Sequence, residues 1–426
     1  PIKLLERMEN FAEIFRPSIQ SCINQFNVND NTDATFDFDS QNMKLKYEGK
    51  EDEIIKLVEA GNVSFPSNSS LVNGASSLFG IRTDMQFGKL KLQTVVSQKK
   101  SSSSSVSSRG GTQLKPFQLD VTKYDANRHF FLAHYFRDIY DDAMQTLPNL
   151  TTGVNITRVE IWVTNKTGQT NNTRNIIALT DLGEGSPKNS MWGGMGPRIR
   201  PANDVNSEYA SMVSTYAEAR NIDQTTTILD AIPGFSGGTD YEKLENARLL
   251  NSSEYKVNTA LGYVSLNSEL QTDQVLAIAY EYTFNGTTFQ VGEFSSDISD
   301  VKSALFVKSL KNTANIPTQG NWHLMMKNVY NLGSTIEKEK FRLDVKYLSD
   351  TAGVYLSYLP DPRVKETTLL KIIGADRLDN NNKAHSNGYF DYVEGYTVSN
   401  GCVFLPKKAP FGGSLFAYLI SKGFSE

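Results

Sequence analysis

Residues 81–97 carry the pattern that most limits the fold of this chain, because apolar and polar side chains alternate there with a period of two. Successive side chains of a β-strand point to opposite faces, so the period predicts one apolar and one polar face. The apolar face would carry Ile81, Thr83, Met85, Phe87, Leu90, Leu92, Thr94 and Val96, and the polar face Arg82, Asp84, Gln86, Lys91 and Gln93. Gly88 interrupts the alternation and can supply the positive φ of a tight turn, which predicts a hairpin.

The same alternation begins earlier in the chain. Residues 35–39 alternate aromatic side chains with carboxylates, and residues 43–47 alternate apolar side chains with lysines. We therefore predict a β-meander over residues 33–98. A serine run at 101–108 follows, and it cannot bury enough apolar surface to offset its ordering entropy, so it is predicted to be a flexible loop.

Composition excludes two classes of protein. Lys plus Arg total 43 and Asp plus Glu 47, a net charge of −4, whereas a nucleic-acid-binding protein needs a concentrated basic surface. No stretch approaches the run of about 18 apolar residues that a transmembrane helix needs. A transmembrane β-barrel remains open, because its alternating strands never produce such a run. The chain begins at Pro1, which indicates a mature form or a fragment.

Past the serine run the pattern becomes mixed. Helices are predicted for residues 125–147, with Asp125 as the N-cap, and for 203–219 and 322–332. Asn285-Gly286 lies between two apolar runs and has the sequence of a type I′ hairpin turn. Strands are predicted at 159–163, 175–182, 275–284, 287–294, 341–348 and 354–359. The mixture favours an α+β or β-sandwich-like domain.

The search for catalytic chemistry yields no candidate. The sequence has no nucleophile elbow, no phosphate-binding glycine loop and no cysteine–histidine pair with a third orienting group. The glycine-rich stretch 193–196 is interpreted as a surface turn. His129 and His134 lie about 140° apart around a helix, a spacing that does not suit one metal. The sequence therefore predicts no enzyme, no catalytic residue and no cofactor.

One acidic segment offers a metal hypothesis. Carboxylate and amide oxygens near a glycine suit Ca²⁺, although the spacing differs from an EF-hand loop. The alternative, which these residue types favour, is a plain turn without metal. The candidate ligands are Asp376, Asp379, Asn381, Asn387 and Asp391.

The two cysteines, Cys22 and Cys402, either form one bridge or stay free, since two cysteines alone do not reveal their pairing.

Several blocks of the sequence, in the same order, resemble the N-terminal part of the SprA (Sov) family. They are residues 32–40, 59–64, 77–80, 86–90, 128–137, 158–165, 244–250, 261–266, 280–283, 290–294 and 324–330. The resemblance covers roughly residues 30–412. It departs near the C-terminus, where Cys402 and Ala409 stand in place of charged residues, and members of the family are several times longer.

The resemblance implies a large outer-membrane β-barrel of Bacteroidota, the translocon of the type IX secretion system, which also serves gliding motility. It implies that folded proteins pass through this channel to the cell surface. The implied partners are cargo proteins with C-terminal secretion domains, a PorV-like outer-membrane shuttle, a periplasmic plug protein and outer-membrane lipid, with no nucleic acid. The implied location is the outer membrane, with extramembrane parts at the cell surface or in the periplasm.

With this resemblance the expected fold is mainly β: transmembrane β-barrel strands plus an extramembrane α+β or β-sandwich-like domain. Residues 1–29 remain unplaced, and 30–112 form the meander of barrel-wall strands with the serine loop. Residues 113–335 form the extramembrane mixed domain. Residues 336–426 form a β-rich segment that returns towards the barrel and leaves it incomplete.

Two alternatives from other classes stay open. A secreted or surface β-sandwich adhesin that binds glycans or proteins would fit the Asn285-Gly286 hairpin and the many Asn-x-Ser/Thr sequons. A carbohydrate-active enzyme would need two carboxylates placed across a cleft, and the sequence distinguishes no such pair.

Overall fold

The computed structural model describes residues 44–49, 54–65, 75–88, 90–97, 117–333, 336–349 and 353–424. The chain divides into two compact units, Pro1–Gln113 and Leu114–Glu426, which are treated separately below. The expectations for Cys22, for the alternating residues 35–39, for the segment 1–29 and for the serine run lie outside the described residues.

The described part of the first unit is a four-stranded antiparallel sheet in chain order. Its strands are β1 (Lys44–Glu48), β2 (Ile55–Phe65), β3 (Ala75–Phe87) and β4 (Leu90–Ser97). Gly88 turns between β3 and β4 with φ 61°. The predicted hairpin is therefore confirmed.

The second unit contains many short strands and few helices. Its strands are β5 (His129–Phe131), β6 (Val154–Val163), β7 (Thr173–Leu179), β8 (Tyr241–Leu249), β9 (Tyr255–Asn258), β10 (Tyr263–Leu266), β11 (Leu276–Phe284), β12 (Thr287–Val291), β13 (Leu305–Lys311), β14 (Val329–Asn331), β15 (Tyr347–Leu348), β16 (Tyr355–Leu356), β17 (Val398–Ser399) and β18 (Cys402–Phe404). Its α-helices are α1 (His134–Met144), α2 (Glu208–Ser214), α3 (Thr225–Leu229), α4 (Leu369–Ile372) and α5 (Leu415–Ser421). Shorter helical turns of 3₁₀ or π type occupy Ser190–Trp192, Ala217–Arg220, Gly320–Leu324, Lys338–Lys340 and Pro410–Ser414. A mainly β fold is confirmed.

The largest sheet of the second unit closes on itself. Its strand order is β12-β11-β13-β7-β8-β6, and β11 also pairs with β6 along its whole length. The other edge of β11 is shared, because β13 pairs with its first half and β12 with its second half. Strands β6, β11, β13, β7 and β8 therefore form a small closed barrel in which β7 and β13 run parallel.

This closure replaces the predicted β-sandwich. Register shifts interrupt β11 between Glu281 and Tyr282 and β7 between Arg174 and Ile176, and such bulges bend strands. The sheet curls until its edges meet, so its two faces become the inside and the outside of a barrel.

The two faces of the barrel strands bury different kinds of side chain. The interior is narrow, so a barrel of this size is filled by small residues and few large ones. It holds Trp162 among Ala178, Ala247, Ala277 and Ala279. The outer face packs into the main core of the unit through Ile161, Ile177, Ile278, Tyr280 and Phe306, together with side chains of α1, β5 and β10.

The predicted helix over residues 125–147 is wrong in its first third. Asn127 has φ 56°, a left-handed conformation that no helix continues. His129 to Phe131 then form β5, which pairs antiparallel with β10. The helix begins at His134, so a pairing with residues far along the chain overrides the local helical pattern.

The other two helix predictions are also corrected. Residues 203–219 contain only the short helix α2 before the 3₁₀ turn Ala217–Arg220. Residues 322–332 contain the end of another 3₁₀ turn and then β14, which pairs with β18.

The Asn285-Gly286 hairpin is confirmed. These two residues join β11 to β12 with φ 47° and 82°, and a type I′ turn requires positive φ at both central positions.

Towards the C-terminus the strands are short. The two-residue strands β15 and β16 pair with each other, and β17 joins β18 and β14 in a three-stranded sheet. A third core cluster, which includes Ile373, Phe390 and Val403, lies beneath them. Within the described ranges, no helix combines the length and the apolar character required to cross a membrane.

Candidate functional site

The apolar face of the β3–β4 hairpin is exposed. Register places Ile81 opposite Val96 and Phe87 opposite Leu90, so these side chains form one patch. The large apolar side chains that are between 47% and 69% exposed there are Ile81, Phe87, Leu90, Leu92 and Val96. A contiguous apolar patch on an exposed face marks a surface that meets lipid or another protein.

The opposite face carries a charged network that is better covered than the apolar one. The Arg82 guanidinium donates to the Asp84 carboxylate at 2.6 and 3.1 Å, and Gln93 donates to the same carboxylate at 3.0 Å. An oxygen of Glu59, on β2, lies 3.8 Å from Arg82, and Glu59 is only 4% exposed. In this part of the sheet the charged group of Glu59, Arg82 and Asp84 is more covered than the apolar side chains of the opposite face, which is the reverse of the pattern usual in water.

A second feature lies in the other unit, where Asp125, His129 and Cys402 converge. One possible ligand atom from each lies within 4.8 Å of those of the other two. Asp125 Oδ2 is 3.0 Å from His129 Nε2 and 3.8 Å from Cys402 Sγ. His129 and Cys402 are both buried. Among the described residues this is the only group of three or more such side chains with that closeness.

Burial sets the protonation of this cluster. Desolvation lowers the pKa of His129, against the opposing effect of Asp125, so the ring is neutral at pH 7. Desolvation, with the charge of Asp125, raises the pKa of the Cys402 thiol to about 11. The carboxylate lies between the thiol and the imidazole, which is not the order of a thiol nucleophile activated by a histidine base.

A cavity of about 130 Å³ adjoins the cluster. His129 and Cys402 form part of its wall, together with Ser265, Asn258 and Asn400. Because one water occupies about 30 Å³ of liquid, the cavity can hold several waters or a small ligand beside the two side chains.

A third cluster surrounds Glu208. Both of its carboxylate oxygens are buried without a hydrogen-bond partner. Nearby, Lys308 forms an ion pair with Glu184 at 3.0 Å, and Asp181 accepts backbone N–H groups of Lys188 and Asn189. Desolvation raises the pKa of Glu208 well above its ordinary value, and the charge of Asp181 adds to this.

The acidic segment considered for calcium uses its carboxylates inside the chain. Asp376 accepts the N–H groups of Asn387 and Gly388, and Asp391 accepts those of Arg377 and Leu378. Asp379 likewise accepts from Asn381 and Lys383. The Asp379–Asn381 contact is that of an Asx turn. The contacts of Asp376 and Asp391 instead join segments that lie more than ten residues apart in the chain.

The histidine and cysteine candidates from the sequence do not form one site: His134 lies apart from His129, and Cys22 lies outside the described residues. His134 begins α1, where its backbone N–H donates to Glu184, and it does not belong to the cluster of His129. Cys402 carries a free buried thiol. No pattern in the sequence indicates that Cys402 meets Asp125, because 277 positions separate them.

Comparison with known proteins gives one family. Residues 17–299 match the sequence model of the SprA N-terminal family, described as "motility related/secretion protein". No curated protein matches the chain.

Proposed function

The chain belongs to the SprA N-terminal family of motility-related and secretion proteins, and from this premise we propose that it forms part of a protein-translocation channel in the outer membrane. The channel would export folded proteins to the cell surface in type IX secretion and gliding motility of Bacteroidota. The chain would contribute wall strands and one extramembrane unit, and it would perform no catalysis.

The observation that carries the proposal is the sheet of the first unit, which exposes an apolar face opposite a face with a charged group. A channel wall presents apolar side chains to lipid and polar side chains to a wet lumen, and these alternate along each strand. The exposed face of Leu90, Leu92 and Val96 suits hydrocarbon. The opposite face, with its Arg82–Asp84 pair, suits a hydrated interior.

The second unit suits a position outside the bilayer. Its helix α1 carries Arg137, Asp138 and Asp142 on its outer side, and charged groups are costly on a lipid-facing surface. This unit would meet the proposed partners: cargo with C-terminal secretion domains, a PorV-like shuttle and a periplasmic plug protein. The adhesin alternative was drawn with a β-sandwich, whereas the largest sheet of this unit closes into a barrel.

The proposal is tested by thiol labelling of the full-length protein in outer membranes. Single cysteines replace Leu92 and Gln93, neighbours on opposite faces of β4, and the parent chain gives the background from its native cysteines. We expect Leu92→Cys to react with a membrane-soluble maleimide and to resist a charged, water-soluble thiosulfonate. Gln93→Cys should show the opposite preference.

Two results would overturn the proposal. Reaction of Leu92→Cys with the charged reagent would place this face in water. Equal protection of Leu92→Cys from both reagents would place it in a packed protein core.

A further inference from the structure

We propose that Asp125, His129 and Cys402 form a binding site for a transition-metal ion with the ligand preference of Zn²⁺. The three side chains offer one carboxylate oxygen, one imidazole nitrogen and one sulfur, all of which zinc accepts. The inference concerns only the second unit and does not depend on the channel.

The distances suit a tetrahedral ion. Zinc bonds of about 2.1 Å to oxygen or nitrogen and about 2.3 Å to sulfur separate neighbouring ligands by roughly 3.4–3.6 Å. The observed separations from Asp125 Oδ2 are 3.0 Å to His129 Nε2 and 3.8 Å to Cys402 Sγ. The ligand atoms of His129 and Cys402 lie within 4.8 Å of each other, so side-chain movements of about 1 Å or less would bring all three into coordination range.

The imidazole is held in the orientation that a metal ligand needs. His129 Nδ1 lies 2.7 Å from Ser265 Oγ, which leaves Nε2 directed at Asp125. Metal-binding histidines usually engage their second ring nitrogen in a hydrogen bond, and here this contact fixes the ring plane. Strand register supports the contact, because Ser265 on β10 pairs directly with His129 on β5.

The backbone brings the other two ligands to the same place. Asp125 donates its N–H to Val329 of β14 at 2.7 Å. Cys402 of β18 pairs with Asn331 of the same strand. Strand β14 therefore positions two ligands that lie far apart in sequence, so the site is assembled by the fold before any metal arrives.

When no metal is bound, Arg128 balances the negative charge of Asp125. Its guanidinium lies 2.9 Å from Asp125 Oδ2 and also donates to the carbonyl oxygens of Leu266 and Asn267. A metal would replace Arg128 as the partner of the carboxylate, and the guanidinium would keep its two carbonyl contacts.

The adjoining cavity supplies the fourth position. Three protein ligands with one open position are typical of zinc sites that keep a bound water. The cavity of about 130 Å³ borders both His129 and Cys402, so a water or a small ligand can complete the tetrahedron from that side. The metal would also join β18 to β5, and it should therefore stabilise the unit.

The test uses the full chain, stripped with a chelator and titrated with Zn²⁺ in competition with a chromophoric chelator. We expect one zinc per chain, no comparable binding of Mg²⁺, and a higher melting temperature with zinc. Ser265→Ala should weaken zinc binding by about 10–100-fold, because that residue only positions the histidine. Cys402→Ser and His129→Gln should weaken it further. Cys22→Ser and His134→Gln are the matched controls and should bind like the parent.

Cobalt gives a second readout, which reports directly whether a sulfur atom binds the metal. Co²⁺ bound to the parent chain should show thiolate-to-cobalt charge-transfer absorption, which Cys402→Ser should lack. The proposal is overturned by absence of zinc binding at equimolar metal, by a parent cobalt complex without that absorption, or by a folded Cys402→Ser variant that binds zinc as tightly as the parent.

Discussion

Met85 of β3 lies directly opposite Leu92 of β4, on the exposed face of a sheet whose charged side chains lie on the other face. In water this arrangement is unfavourable, because apolar area stays exposed at a cost of about 25 cal/mol per Å². In a bilayer the same face is solvated by lipid, and the covered charges are turned away from hydrocarbon.

We therefore predict that neighbouring positions of β4 differ in how well they tolerate a charged side chain. Leu92→Arg should destabilise the protein by about 2–4 kcal/mol if the residue lies near the bilayer midplane, because a charge on the lipid face is poorly solvated. Gln93→Arg, on the polar face, should cost only about 0.5 kcal/mol. Denaturant unfolding of the full protein folded into lipid vesicles measures both. Equal costs at the two positions would contradict a lipid-facing β4.

The buried Arg220–Glu293 pair should be sensitive to loss of one partner. Two hydrogen bonds of 2.8 and 2.5 Å join the side chains, and Glu293 also accepts the backbone N–H of Phe306. Glu293→Gln removes the charge that balances Arg220 and should cost on the order of 3–5 kcal/mol. Fluorescence of the three tryptophans, all of which lie in the second unit, reports the unfolding.

A double variant separates pairing from burial. Arg220→Met with Glu293→Met should recover much of the lost stability, because replacing both charges leaves neither unpaired. Asp361→Asn breaks the exposed pair with Arg363 and is the control, expected to leave stability nearly unchanged. A double variant less stable than Glu293→Gln would contradict this expectation and show that the contacts of Glu293, including the hydrogen bond from the Phe306 N–H, outweigh the cost of an unpaired charge.

Glu208 should make the second unit less stable as the pH rises. Desolvation raises its folded pKa well above the ordinary value of 4.5. Between 4.5 and the folded pKa, the folded state keeps a proton that the unfolded state has released, so stability is highest below 4.5 and falls as pH increases. Glu208→Gln removes this proton uptake and should raise the melting temperature at neutral pH.

The measurement is a series of thermal melts from pH 4 to pH 8, at about one-unit steps, on the parent and on Glu208→Gln. The variant should show a flatter dependence than the parent, and Glu218→Gln, an exposed glutamate, should reproduce the parent curve. Parallel curves for Glu208→Gln and the parent would mean that Glu208 is ionised in the fold.

The sequence predicted the features that depend on near neighbours. The two hairpins follow from period-two alternation and from a turn residue that tolerates positive φ, as at Gly88 and Asn285. The helix predicted from Asp125 is wrong because β5 pairs with β10, which lies more than a hundred residues later in the chain. Barrel closure and the meeting of Cys402 with His129 also depend on distant pairings, and one sequence carries no period or motif for these.

Gly262 provides a last prediction, which separates backbone strain from packing. It has φ 63°, and a Cβ at this position would lie 2.3 Å from Cδ1 of Phe136. The ring cannot retreat, because it is fully buried and packs edge-on against Tyr280 and Tyr282. Gly262→Ala should therefore combine left-handed strain with overpacking and cost on the order of 3 kcal/mol.

Gly286 is the matched control, since it has φ 82° and open space around its Cα. Gly286→Ala carries only the backbone strain and should cost about 1 kcal/mol. Gly262→Ala should cost more than Gly286→Ala because of overpacking. Adding Phe136→Leu should reduce this difference in cost, because the smaller side chain makes room for the methyl group while the strain in φ remains. Denaturation followed by tryptophan fluorescence measures the stability of Gly262→Ala, Gly286→Ala and the double variant. Equal costs for Gly262→Ala and Gly286→Ala would show that the core around Phe136 yields to the added methyl group.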